Sequence, residues 1–191
     1  QGVAASPNPA LGWIGSLSAF EGGKGYWAKV DEAVSFNFQT GSSDARVLQS
    51  DIEYNKPYSQ SMEQAFYFIK DINLSGYGAL NENSIIRAYN NNILVGERKW
   101  NGPYTDLPAM GNDGSLETAG YCESGDNIKI TVTLENGLEY VINGDIPAWS
   151  NNQIYNIENL QIDNSQTIPS EIAVIGSFPN PFNPSTVIPY E

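Results

Sequence analysis

The stretch GNDGSLETAGYCESGD, residues 111–126, sets Asn112, Asp113, Glu117, Glu123 and Asp126 among glycines. Amide and carboxylate oxygens carried on turns are the donor type that Ca²⁺ takes, in flexible geometry. Asn112, Asp113, Glu117 and Asp126 are therefore the candidate metal set. Their spacing is not that of an EF-hand loop. The same acids also suit solvated turns that cap the strand expected at 127–134.

A second constellation lies in KWNGPYTDLPAMG, residues 99–111. Trp100 and Tyr104 stand beside Asn101 and Asp106. Aromatic faces for stacking, with an amide and a carboxylate for hydroxyl groups, form the usual equipment of a carbohydrate site. Trp27, in EGGKGYW (21–27), joins Trp100, Tyr104 and Asp106 as a glycan candidate. Tyr26 and Trp27 suit either a sugar-stacking platform or a place in the core. EGGKGYW is not a phosphate loop, because Lys24 is followed by Gly25 and not by the Ser or Thr that would reach Mg²⁺.

Other chemistry is excluded by residue count. The chain has no histidine and one cysteine, Cys122. That removes a Cys/His zinc site, an internal disulfide and the histidine-based nucleophilic triads. Cys122 reads as a small, partly buried residue, with an intermolecular disulfide as the alternative. A glycosidase needs two carboxylates facing each other across a cleft, and the sequence singles out no such pair. The chain is expected not to be an enzyme. Asn73-Leu74-Ser75 matches the N-glycosylation sequon.

The elements that must position these residues follow from composition and periodicity. The chain has 191 residues, 40% hydrophobic and 12% aromatic, enough for one ordinary core. Charged residues make up only 16%, and Gly, Asn, Ser and Tyr are abundant, which favours strands and turns over helices. The net charge of −13 argues against nucleic acid and against anionic membranes as partners. No transmembrane run is present, so no membrane insertion is expected. Beginning at Gln1, the chain reads as a mature or excised segment.

Along the chain, WIGSLS (13–18), GGKGYWAKV (22–30) and AVSFNFQ (33–39) read as strands, the last with Val34, Phe36 and Phe38 on one face. TGSSDARVLQSD (40–51) lacks periodicity and marks an internal boundary. QAFYFIKDI (64–72) is apolar on both faces and fits a central strand. SIIRAYNNNILVGERKW (84–100) reads as two strands around Asn90–Asn92, since asparagine tolerates the left-handed turn conformation.

NIKITVTLENGLEYVIN (127–143) reads as a hairpin. A three-residue loop, Glu135-Asn136-Gly137, opposes Leu134 with Leu138, Val132 with Tyr140 and Ile130 with Ile142. A two-residue loop would oppose Ile130 with Asn143, so the longer loop alone keeps one face apolar. WSNNQIYNIENLQI (149–162) fits a final strand, and DNSQTIPS (163–170) a linker. The expected fold is all-β, a sandwich of roughly eight to ten short antiparallel strands, Ig-like or jelly-roll-like, with an extended Pro-rich C-terminal arm. Residues 1–40 would be an N-terminal β segment, packed into the main domain or ending a preceding module. Residues 51–165 would be the main sandwich, and 166–191 a linker with the start of another domain.

The last stretch, SFPNPFNPSTVIPYE (177–191), resembles the opening of the type A C-terminal sorting domain of the type IX secretion system. Pro179 to Thr186 match its PNPFNPST signature, and Val187-Ile188-Pro189-Tyr190 match the strand that follows. Upstream, GWIGSLSAFEGGKGYWAKV, YSQSMEQAFYFIKDINLSG and LPAMGNDGSLETAGYCESGD are similar to β-rich modules of large secreted proteins. The resemblance implies an extracellular or cell-surface protein of a Bacteroidetes-like, marine or thermophilic lineage. It brings no catalytic residue. NENSIIRAY departs from the modules' pattern by losing an acid, and the further strands of a sorting domain do not follow Glu191. A strand without its own sheet, on a stiff proline-rich arm, is a candidate for completing a neighbour's sheet edge. Phe178, Phe182, Val187, Ile188 and Tyr190 are the candidate assembly residues. The expected partners are further copies, as a homo-oligomer or filament. A polysaccharide is the partner of the alternative, a carbohydrate-binding module. No cofactor beyond Ca²⁺ is expected.

Overall fold

The computed structural model describes residues 2–21, 24–35 and 57–168. The linker expected at 40–51, Phe36 and Phe38, and the C-terminal arm with Phe178, Phe182, Val187, Ile188 and Tyr190 lie outside the described residues.

The molecule is an all-β sandwich of eleven strands among the described residues. In chain order they are β1 (Ala5–Asn8), β2 (Gly12–Gly15), β3 (Gln64–Ile69), β4 (Ile72–Asn73), β5 (Ile85–Asn90) and β6 (Ile93–Lys99). They continue as β7 (Thr105–Met110), β8 (Ile128–Thr133), β9 (Glu139–Gly144), β10 (Ile154–Ile157) and β11 (Leu160–Ile168). A six-stranded sheet, β4-β11-β9-β8-β5-β6, faces a three-stranded one, β10-β3-β7, and β1-β2 form a separate hairpin.

Alternation builds the core. Ile86 and Ala88 of β5, Ile128, Ile130 and Val132 of β8, and Tyr140 and Ile142 of β9 point inward. They meet Ala65, Tyr67 and Ile69 of β3 and Leu107 and Ala109 of β7. The β8–β9 hairpin has the expected register: Val132 opposes Tyr140 and Ile130 opposes Ile142. Leu134 and Leu138 close it through a 3.0 Å backbone bond, and Gly137 has a φ of 79°. The β5–β6 turn likewise falls on the asparagine run, with Asn91 at a φ of 53°.

Two pairings depart from the antiparallel expectation. β10 runs parallel to β3, and β11 runs parallel to β4. The chain β3–β4 and the chain β10–β11 thus lie side by side and cross together from the small sheet to the large one. Lys70 N–H donates to the Ile157 carbonyl at 2.9 Å within this corner. Strands that switch sheets in this way make the corners of sandwiches whose sheets cross. Residues 149–162 are therefore not one strand but parts of two, in different sheets. The linker expected at 163–170 is occupied by β11 as far as Ile168, so the strand also overruns the boundary expected at 165.

Apolar residues on both faces of β3 have separate uses. Ala65, Tyr67 and Ile69 enter the main core, and Phe66 and Phe68 face the other way. There they meet Ala4, Tyr104, Ile14 and Ile154, so the N-terminal hairpin covers the outer face of the small sheet. Gly15 is required here, because a Cβ on it would lie 2.3 Å from the Ala4 carbonyl oxygen and 2.7 Å from the Phe68 ring. The strand expected at 13–18 is the shorter β2, and residues 24–35 carry no strand. Among the described residues no helix is long and apolar enough to cross a membrane.

Candidate functional site

The glycan candidates around residue 100 are built into the fold. Trp100 and Tyr104 are each only 8% exposed, and Asp106 is 2% exposed. Trp100 belongs to the main core and Tyr104 to the cluster under the hairpin, so neither offers a ring face to a sugar. Asp106 Oδ2 accepts from the Ala4 N–H at 3.1 Å, the Ser16 hydroxyl at 2.5 Å and Arg98 Nη2 at 3.4 Å. Arg98 also donates through Nε to the Asp106 carbonyl at 2.9 Å and through Nη2 to the Gly2 carbonyl. This carboxylate fastens the N-terminal hairpin to β6 and β7. The reading of Trp100, Tyr104 and Asp106 as a glycan platform is therefore corrected. Trp27, at 80% exposure, stands apart from them in the solvent.

The acidic turn is likewise consumed internally. Asp113 Oδ1 accepts from the Thr118 hydroxyl at 2.7 Å and the Ser115 N–H at 3.1 Å, and its Oδ2 from the Met62 N–H at 3.2 Å. Those bonds, with the one from Thr118 foremost, hold its carboxyl well below the usual carboxylate range. Asp126 Oδ2 accepts from the Asn90 amide at 3.0 Å and the Glu123 N–H at 2.9 Å. Asn112 Oδ1 accepts from the Gly114 N–H, and Glu117 lies in a short 3₁₀ turn, Leu116–Thr118. Asn112, Asp113, Glu117 and Asp126 do not converge. Among the described residues no group of three or more carboxylate or thiol side chains is placed to hold a metal.

Cys122 sits in the core between these turns, and burial pushes its thiol up to about 12. A buried, protonated thiol does not enter an intermolecular disulfide.

Two further features carry no motif in the sequence. The first is a polar network on the outer face of the large sheet. Arg87 Nε donates to Glu97 at 2.8 Å, and its Nη1 donates to the Thr133 hydroxyl at 2.6 Å and lies 3.7 Å from Glu139. The Thr131 hydroxyl donates to the same Glu139 oxygen at 2.5 Å. Tyr89 donates to it at 3.3 Å, and Lys129 lies 5.2 Å above the Tyr89 ring. Burial, with Glu139 beside it, raises the Tyr89 phenol. The alternation of Arg87 and Tyr89 with Ile86 and Ala88 carries this signal in the sequence.

The second is a groove of about 1060 Å³ along β4. It is lined by residues 70–76 and 78–80 together with Leu11, Trp100, Pro103 and Tyr104. Large apolar side chains are also exposed along the N-terminal segment. Leu11, Trp13, Phe20, Trp27, Val30 and Val34 are all between 53% and 80% exposed. Trp13 faces solvent because Ile14, its neighbour on β2, takes the inward position.

Comparison with family models, curated proteins and solved structures finds no match to this chain.

Proposed function

We propose that the chain is a non-catalytic structural or adhesive β-sandwich module of a secreted or surface-displayed bacterial protein. Copies associate, as an oligomer or filament, by donating the C-terminal strand to a neighbour's sheet edge. The observation that carries this reading is the exposure of six large apolar side chains along the N-terminal segment, Leu11, Trp13, Phe20, Trp27, Val30 and Val34. Large apolar surface left exposed marks sites of interaction. The resemblance of residues 177–191 to a type IX sorting segment supports an extracellular or cell-surface location and supplies the donor strand. Further copies are the expected partners, and neither nucleic acid nor membrane insertion is involved. With a net charge of −13, copies repel at low salt, so association strengthens as salt rises.

The test is light scattering and electron microscopy of the full chain over a wide concentration range. Concentration-dependent assembly that Ile188→Asp abolishes supports the reading. A monomer at every concentration and salt overturns it.

A carbohydrate-binding module is the second reading, favoured by the exposure of Trp13 (76%) and Trp27 (80%). A polysaccharide that quenches tryptophan fluorescence in the native chain but not in Trp27→Ala supports it. A silent glycan array removes it.

A further inference from the structure

The free edge of β4 combines what an added strand needs. β4 ends the six-stranded sheet and pairs, among the described residues, only with β11. The Ile72 N–H donates at 2.8 Å to the carboxylate of Asp71, the residue before it. A short edge strand with charged side chains beside it, here Lys70 and Asp71, is a common protection for an open edge. The groove lies directly against that edge. Leu11, Leu74, Leu80, Trp100, Pro103 and Tyr104 give it an apolar lining beside an unpaired backbone. Backbone pairing with side-chain pockets alongside is how sheet edges take up extended peptides. The large sheet's opposite edge is β6, and the small sheet ends in β10 and β7; beside β10 the Lys29 ammonium reaches Gln153 at 3.3 Å.

Twenty-three residues follow Ile168, and the last seven read STVIPYE. Val187, Ile188 and Tyr190 are the apolar side chains an edge groove would bury. Pro189 has no N–H, which an outermost strand tolerates and a central one does not. β11 starts beside β4 at Leu160 and carries the chain away from it, so the segment leaves from the far end of that strand. Between Ile168 and Ser185 the chain can extend roughly 55 Å, enough to reach another molecule.

We propose that the β4 edge and its groove are the docking site for residues Ser185–Glu191 of a second copy, added as a strand. This rests on the strand-donation reading above and names its acceptor.

The experiment uses full-length chains. Chains carrying Ser75→Cys are mixed with chains carrying Ser185→Cys, Val187→Cys or Pro189→Cys, and linked with a short bismaleimide. Cys122 is buried and silent in this assay. In parallel, Leu11→Glu places a charge at the groove mouth on a side chain that is 61% exposed, so the fold is spared. The expected result is a mixed dimer and an affinity lowered about tenfold or more by Leu11→Glu, comparable with Ile188→Asp. If Ile188→Asp abolishes association but Leu11→Glu does not weaken it and no mixed dimer forms, the groove is the wrong acceptor and strand donation stands. If Ile188→Asp has no effect, strand donation itself fails. A link only within single chains carrying both cysteines overturns the second copy as donor.

Discussion

The indole of Trp149 occupies the space that a side chain on Gly111 would need. A Cβ at residue 111 would lie 2.5 Å from two atoms of that ring. The same indole N–H donates to the Ala109 carbonyl at 3.0 Å, and Trp149 is 1% exposed. Gly111 also pairs with Cys122 in a parallel bridge and donates to the Glu63 carbonyl at 2.7 Å, so its backbone is not free to retreat. Gly111→Ala is therefore expected to overpack the core and cost about 1–3 kcal/mol. Thermal unfolding followed by tryptophan fluorescence checks this, with a fall in Tm of several degrees expected.

Asp106 is the joint between hairpin and sandwich. Its removal leaves the Ala4 N–H and the Ser16 hydroxyl without their acceptor and Arg98 without its carboxylate. Asp106→Ala is expected to cost about 3–5 kcal/mol, as breaking a buried ion pair does. The loss should appear first at the N-terminus. Amide exchange at Ala4 and Leu17 should accelerate more than at Ile130, and a protease should cut near residues 10–20 before the rest unfolds. Equal acceleration at all three amides would show that the joint is not local.

How much of this was legible follows from the range of the interactions. The β8–β9 register could be read because its alternation and the Asn136-Gly137 turn are both local. The β5–β6 turn could be read for the same reason. The parallel pairs β3–β10 and β4–β11 could not, since their partners lie more than 80 residues apart and share no turn. Trp100 and Tyr104 sit in a Gly-Pro loop, which locally signals exposure. Their burial is decided by β3 and the N-terminal hairpin, far away in sequence. β7 is buried at every position, so Asp106 interrupted no alternation that would have marked it as an inward acid. In the 111–126 turn the acids and their local donors, Ser115, Thr118 and Glu123, were visible, but the bonds from Met62 and Asn90 that tie the turn to the rest of the fold were not.

The bonds to Asp113 make stability depend on pH. Its folded pKa lies below the ordinary carboxylate value, so near and below about pH 4 the unfolded chain binds a proton that the folded chain does not. The stabilisation is present in full above the unfolded pKa and is lost as pH falls toward the folded one. Asp113→Asn is expected to lower stability at pH 7 and to flatten its decline on acidification. Urea unfolding midpoints between pH 2.5 and 7 for both chains check the sign. A steeper acid slope in the variant would count against it.

Cys122 reports on the core from the opposite direction. Its thiol is buried and pushed up to about 12, first by desolvation and then by the nearby Asp126 carboxylate. At pH 8 almost none of it is thiolate, and thiolate is the reactive form. Cys122 N–H donates to the Met110 carbonyl and its own carbonyl accepts from the Asn112 N–H, so its backbone joins two segments. Local fraying at this point would break both bonds, and exposure of the sulfur therefore requires the core to open. Labelling by a disulfide reagent is expected to be negligible in the native chain and complete in denaturant. Its rate should track global unfolding, slowing or quickening with stability when Gly111→Ala or Asp106→Ala is introduced. A rapid native reaction, insensitive to those substitutions, would mean that Cys122 is reached by a smaller motion than loss of the core.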